Sequence, residues 1–245
     1  MKPIHIVAKT ISDAWFQLIY SIFTHSYLQT NRKDPHTREQ YRLQYPGASV
    51  YIEYPHLDMV PVIPAGLCIP TTTTMECIEN YFVNYLMDPE LAENETYRYA
   101  SRIHHTLPSG ETQLDRVITL LKNSPLTNKA VIEIADLNDF DVCSSRDVKL
   151  DPPSLRLIDF KVIPMHGELV LTVSVYFRSW DLWTGFPTIL GGVELLKQHV
   201  AFETGLKNGP MYAYSSGLHI YSYHEEIART RVMKLYNRTN SSFEG

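Results

Sequence analysis

"LRLIDFKVIPMHGELVLTVSVYFR", residues 155–178, decides the architecture. Apolar side chains alternate with polar ones on both sides of "MHG" (165–167), and alternation around a glycine-containing break predicts a hairpin of two long strands. Just upstream, "DPPS" (151–154) places a proline pair that enforces extended backbone and presents Ser154 at a fixed angle to the first strand. Downstream, "SWDLWTGFP" (179–187) leads into a helix expected over roughly 189–203, ending near Gly205. "MYAYSSGLHIYSY" (211–223) reads as one tyrosine-rich strand.

The first half is more helical. In "AWFQLIYSIF" (14–23), Trp15, Leu18, Ile19, Ile22 and Phe23 recur at helical spacing behind a "TISD" cap. "TTTTMECIENYFVNYLM" (71–87) is expected to become helical with Ile78, Tyr81, Phe82, Tyr85 and Leu86 on one face. "ETQLDRVITLLKNSP" (111–125) turns Leu114, Val117, Ile118 and Leu121 inward, and "KAVIEIA" (129–135) reads as a buried strand. The polar run from 24 to 42 is expected to be an exposed loop. Long antiparallel strands mixed with separate helices argue for an α+β fold in a single domain, 1–245.

Bulk properties narrow the function. A net charge of −5 over 245 residues gives no global attraction for nucleic acid or an acidic membrane, so any phosphate must be held by a local cluster of cations. Three scattered cysteines supply neither a disulfide framework nor a metal site, and a reducing cytoplasm is the simplest location. No stretch is long enough to span a bilayer.

Two short clusters carry chemistry. Arg178 closes a strand beside Ser179, and guanidinium plus hydroxyl can form a forked grip on a phosphate; the same arginine could equally cap a sheet edge. His219 and Tyr221, two apart in a strand, share a face and could hold a sugar hydroxyl, or form a satisfied buried pair.

In order and spacing, proline pair, hairpin, Arg-Ser-x-Asp, Gly-x-Pro, helix and His-x-Tyr resemble the thymidylate synthase family, which includes the pyrimidine nucleotide hydroxymethylases. The opening "IHIVAKTISDAWFQLIY" (4–20) is similar to archaeal-type members. The resemblance implies a large mixed or antiparallel sheet with flanking helices, dimerising through the sheet, with a pyrimidine nucleoside monophosphate as ligand and 5,10-methylenetetrahydrofolate as cofactor. It implies phosphate contacts from Arg178, Ser179 and Arg38, a ribose site at His219 and Tyr221, and cofactor contacts from Asp181 and the Gly185 turn. Glu79 matches a glutamate that organises proton transfer, and Tyr99 an active-site tyrosine. Where relatives lend two arginines to a neighbouring subunit, "TNKAVIEI" (127–134) offers only Lys129.

The departures fall on one side of the site. Ser154 stands where the family has its nucleophilic cysteine, and an alcohol is ionised far less than a thiol and needs an adjacent base. Leu155, next along, supplies none. Ile189 replaces the asparagine or aspartate that reads the pyrimidine edge, and an unpaired buried edge costs roughly 1–3 kcal/mol. Phosphate and sugar groups are kept while nucleophile and base reader are gone, a division that random decay would not respect. Two readings follow: one-carbon transfer to a ring already electron-rich at its reacting carbon, or a catalytically altered nucleotide-binding paralogue acting as sensor or hetero-oligomer partner.

Overall fold

The computed structural model describes residues 2–24, 28–32, 40–91, 98–139 and 152–240. In chain order, β1 (Ile4–Ala8) leads into α1 (Ile11–Thr24), followed by β2 (Leu28–Arg32), β3 (Gln40–Gln44) and β4 (Ala48–Ile52). After α2 (Met75–Tyr81), α3 (Tyr99–Ile103) and α4 (Gln113–Asn123) come β5 (Val131–Glu133), β6 (Leu155–Met165) and β7 (Glu168–Phe177). The chain closes with β8 (Trp180–Asp181), α5 (Gly185–Thr204), β9 (Lys207–Ser215), β10 (Leu218–Tyr221) and α6 (Glu225–Asn240).

The β6–β7 hairpin forms as expected, in antiparallel register from Leu155↔Phe177 to Met165↔Glu168. Its two-residue turn holds both His166 (φ 53°) and Gly167 (φ 83°) in the left-handed region, which matches the right-handed twist of the strands it joins. Around it the six-stranded sheet runs β1-β4-β9-β7-β6-β5, with β7–β9 and β1–β4 parallel and the other pairs antiparallel. A parallel β7–β9 pair needs a crossover, and α5 provides it. A second sheet, β2-β3-β10-β8, has four strands. Helices and a mixed sheet give the α+β class read from the sequence.

One face of the large sheet buries Val50, Ile52, Val173, Val175, Phe177, Ile158, Phe160 and Met211 against α1 and α5, whose Trp15, Leu18, Leu190 and Val193 join the same core. Burying a side chain of this kind contributes about 1.5–3 kcal/mol each relative to exposure. Register places Tyr51, Tyr212, Tyr214 and Tyr176 on the opposite face, where Tyr51 and Tyr212 meet at 5.1 Å and Tyr214 stays 44% exposed.

Three elements differ from their sequence reading. The polar run from 24 to 42, expected as a loop, contributes β2 and β3, because β3 hydrogen-bonds to both β2 and β10 and needs no apolar run of its own. The helix over 71–87 becomes a π-helical turn at Phe82–Met87, and the added residue per turn leaves Ile78 and Leu86 buried but rotates Tyr85 to 40% exposed. The segment 211–223 is two strands in different sheets, divided at Ser216–Gly217. The division is steric. A Cβ on Gly217 would lie 2.7 Å from the Arg178 carbonyl oxygen, so the two backbones cross where only glycine fits. Helix α5 also starts at Gly185, earlier than expected.

Candidate functional site

The site is built where β6 begins and β7 ends. Arg178 N–H donates to the Ser154 carbonyl at 2.9 Å, closing the ladder one residue past Phe177. The arginine side chain, half-buried, turns back over the proline pair: Nε donates to the Pro153 carbonyl at 3.2 Å, and Nη2 donates to that of Pro152. The permanently charged guanidinium is thereby tied to the segment that presents Ser154. Arg156 reaches the same Pro153 carbonyl (3.3 Å) and pairs with the buried Asp139 (2.9 Å), which also holds Arg102 (3.0 Å). Asp139, Arg156 and Arg102 thus brace the proline turn from behind, a network that sequence spacing does not disclose because its members lie on α3, β6 and the intervening loop.

Tyr99 approaches from α3. Its phenol oxygen accepts from Leu155 N–H at 3.3 Å, and burial pushes its pKa above the ordinary tyrosine value, so it remains a neutral phenol. Arg178, Ser154, Leu155 and Tyr99 therefore meet around one peptide unit. Ser179, half-buried, follows Arg178 in the link to β8.

Asp181 caps α5. Its Oδ2 accepts from Thr184 N–H (2.9 Å), Thr184 Oγ1 (2.6 Å) and Gly185 N–H (3.0 Å), and Oδ1 from Trp183 N–H (3.2 Å). A carboxylate at a helix N-terminus satisfies orphan donors and complements the dipole, which is why the helix begins at Gly185. A Cβ on Gly185 would stand 3.3 Å from Asp181 Cβ and 3.8 Å from Ile189 Cδ1, so Asp181, Gly185 and Ile189 are immediate neighbours. Ile189 packs half-buried against the core and presents hydrocarbon there.

The second sheet carries the third part. Trp180 N–H donates to the Gly217 carbonyl (3.1 Å) and Leu182 N–H to the His219 carbonyl (2.7 Å), locking β8 beside β10. His219 is buried, with Nδ1 2.8 Å from the Gly217 carbonyl, and its ring meets Tyr221 edge-on at 4.7 Å. The shared face read from the sequence is the one they occupy. Arg42, across in β3, donates to the Tyr221 hydroxyl at 3.2 Å. Sequence reading missed Arg42 because it lay in the run assigned to a loop.

The remaining candidates lie elsewhere. Glu79 is solvent-exposed on α2, and Lys129 is exposed ahead of β5, its N–H on Thr127 Oγ1 (3.2 Å). Arg38 falls outside the described residues. Among the described residues no group of His, Cys, Asp and Glu is arranged to hold a metal, and no helix is long and apolar enough to cross a membrane.

Mixed sheet, crossover helix and a strand-end arginine over a proline turn define the thymidylate synthase fold: thermostable thymidylate synthase A from Bacillus subtilis superimposes with a TM-score of 0.64 over 92% of this chain and 84% of its own, at 14% identity. The thymidylate synthase family model matches residues 89–242, and the chain belongs to that family. A Methanosarcina barkeri protein named "Putative thymidylate synthase" is 29% identical over 225 residues, 92% of this chain and 93% of that one. The thymidylate synthase of varicella-zoster virus (strain Dumas) is 30% identical over 128 residues, 52% of this chain and 39% of its own. The chemistry of the family is folate-dependent one-carbon transfer to a pyrimidine nucleotide.

Proposed function

We propose that this protein binds a pyrimidine nucleoside monophosphate and transfers a methyl or hydroxymethyl unit to its ring, or to a related ring, without covalent activation by a thiolate. One observation carries the reading: the Arg178 guanidinium is fixed over the turn that presents Ser154, so a monoester held by Arg178 and Ser179 brings the attached ring close to that seat. His219 and Tyr221 then meet the sugar, and Ile189 faces the base with hydrocarbon. A ring already electron-rich at its reacting carbon needs no addition at the neighbouring position, which accounts for Ser154 and Ile189 together.

When bound, methylenetetrahydrofolate would supply the one-carbon unit at the formaldehyde level, with water completing a hydroxymethyl product or a hydride from the reduced pterin completing a methyl product. Asp181 fits it narrowly, because three of its four hydrogen bonds fall on Oδ2 and Oδ1 retains acceptor capacity for one pterin N–H. Tyr99, kept neutral, holds the Leu155 N–H and with it the orientation of the Ser154 peptide. The tyrosine-bearing outer face of the six-stranded sheet, with an open cleft of about 300 Å³ between Pro46, Tyr176, Tyr214 and Ser216, suits a second copy of the chain in a cytoplasmic homodimer.

A binding protein without turnover is favoured by one fact: Leu155, next to Ser154, is buried hydrocarbon and supplies it no base. Incubation with labelled methylenetetrahydrofolate and a panel of pyrimidine monophosphates separates the two. Label on a nucleotide supports transfer; nucleotide binding that is indifferent to folate, with no label moved, leaves the sensor reading.

A further inference from the structure

We infer that Arg156 is a positioning residue for the phosphate grip: through the Pro153 carbonyl it fixes how the Arg178 guanidinium is presented, and so how well a monoester is told from an unphosphorylated ligand. The inference rests on the nucleotide-binding reading and deepens it by naming what aims its cation.

Arg178 is cradled by oxygen. Carbonyls of three consecutive residues accept from it: Pro152 from Nη2, Pro153 from Nε (3.2 Å) and Ser154 from the backbone N–H (2.9 Å). Two of the three belong to prolines, which carry no N–H, so the turn offers the guanidinium acceptors without competing donors. The aim of the guanidinium follows the aim of the Pro153 carbonyl, and that carbonyl takes a second donor, Arg156 Nη1, at 3.3 Å.

A β-bulge puts Arg156 there. Strands β6 and β7 pair Leu155 with Phe177 and Leu157 with Tyr176, so Arg156 is the extra residue and opposes nothing in β7. A bulge interrupts the alternation of side chains and re-aims the one it carries, and this one turns back to a carbonyl three residues earlier. Its backbone is held as well, because the Arg156 carbonyl accepts from Ile134 N–H (3.1 Å) and Ala135 N–H (3.0 Å). The guanidinium is anchored on one oxygen of the buried Asp139 (2.9 Å), whose other oxygen holds Arg102 (3.0 Å), and Arg102 also pairs with Asp136 (3.0 Å). Two cations and two carboxylates balance, so this brace adds no net charge of its own beside the phosphate seat. Position and charge then predict opposite signs at Asp139. Asp139→Asn removes a negative charge near an anion site, which by Coulomb's law alone favours a phosphate. If the carboxylate acts by anchoring Arg156, the same change frees the Pro153 carbonyl and weakens the phosphate contact.

Calorimetry with uridine, deoxyuridine and deoxycytidine 5′-monophosphates, each beside its nucleoside, tests this through the ratio of the two affinities. Arg156→Met, in which Asp139 keeps Arg102 as a partner, is expected to cut the preference for the monophosphate about three- to tenfold, the worth of one hydrogen bond, and to leave nucleoside affinity unchanged. Arg156→Lys should recover part of the loss, and Asp139→Asn should lower the preference too. In an Arg178→Ala background neither Arg156→Met nor Asp139→Asn should have a further effect. A preference left intact by Arg156→Met, one raised by Asp139→Asn, equal losses on nucleotide and nucleoside, or additive losses over Arg178→Ala each overturn the assignment while the phosphate site stands. An unmodified protein with no preference for the monophosphate overturns the binding reading and this inference with it. Urea denaturation of each variant separates a loss of grip from a loss of fold.

Discussion

Replacing Gly217 by alanine should damage fold and site together. The new Cβ would lie 2.7 Å from the Arg178 carbonyl oxygen and 3.3 Å from Ser179 Cα. The first contact is with backbone, which has no flexible end to yield, and Gly217 is held by its own bonds: its N–H to Ser215 Oγ (3.2 Å) and its carbonyl to Trp180 N–H (3.1 Å). Relief requires the Arg178–Ser179 link to move by several tenths of an ångström. Overpacking of this kind costs about 1–3 kcal/mol, which in a chain of this size lowers Tm by about 2–4 °C for each kcal/mol. Because the displaced atoms carry Arg178 and Ser179, the proposed phosphate-binding pair, affinity for a pyrimidine monophosphate should fall as well. Gly66→Ala is the control: nothing lies within 4 Å of its Cβ, and its stability should change by less than about 0.5 kcal/mol. Urea denaturation with parallel calorimetry reads both quantities. Aspartate at 217 should be no better tolerated than alanine, since it brings the same Cβ. A Gly217→Ala protein with the stability and affinity of the parent would refute the close-crossing explanation.

Asp181→Ala removes the acceptor for three backbone N–H groups and the Thr184 hydroxyl and should cost about 0.5–2 kcal/mol in chemical denaturation, with Asp181→Asn retaining much of the cap. The ion pair of Glu194 with Lys197 (2.9 Å) in α5 is fully buried, with Glu194 also accepting from Asn208 (2.7 Å) and Lys197 donating to the Gly209 carbonyl. Lys197→Met strands the carboxylate and should cost about 3–5 kcal/mol, whereas the double change Glu194→Leu with Lys197→Met should cost less. Desolvation holds the Lys197 pKa below the ordinary lysine value of 10.5, so in the alkaline window beneath that value the unfolded chain binds more protons. Stability from this group rises with pH there, and urea midpoints of the Lys197→Met protein should lack that rise.

The β6–β7 hairpin was readable because alternation and a Gly turn are local signals, as were α1 and α4, whose apolar stripes point where periodicity says; α4 adds a Thr112–Asp115 capping box. What stayed hidden is set by distant partners. Strands β2 and β3 are polar and exist through pairing with each other and of β3 with β10, and the break at Gly217 depends on a carbonyl 39 positions earlier. Of the candidate site, the residues around the proline turn and the His219–Tyr221 face assemble, since both follow from motifs that fix short-range geometry. Arg42, Arg156 and Asp139 act through contacts whose sequence separation leaves no pattern to read.

Whether Arg178 grips a monoester is read most directly by titrating the unmodified protein and its Arg178→Ala variant with a pyrimidine nucleoside 5′-monophosphate and with the matching nucleoside. The unmodified protein should prefer the monophosphate, and loss of one charge-assisted contact should cut that preference about ten- to a hundredfold while nucleoside affinity changes little. Equal affinity of the unmodified protein for nucleotide and nucleoside, or a preference left intact in Arg178→Ala, would contradict the phosphate site and the function built on it.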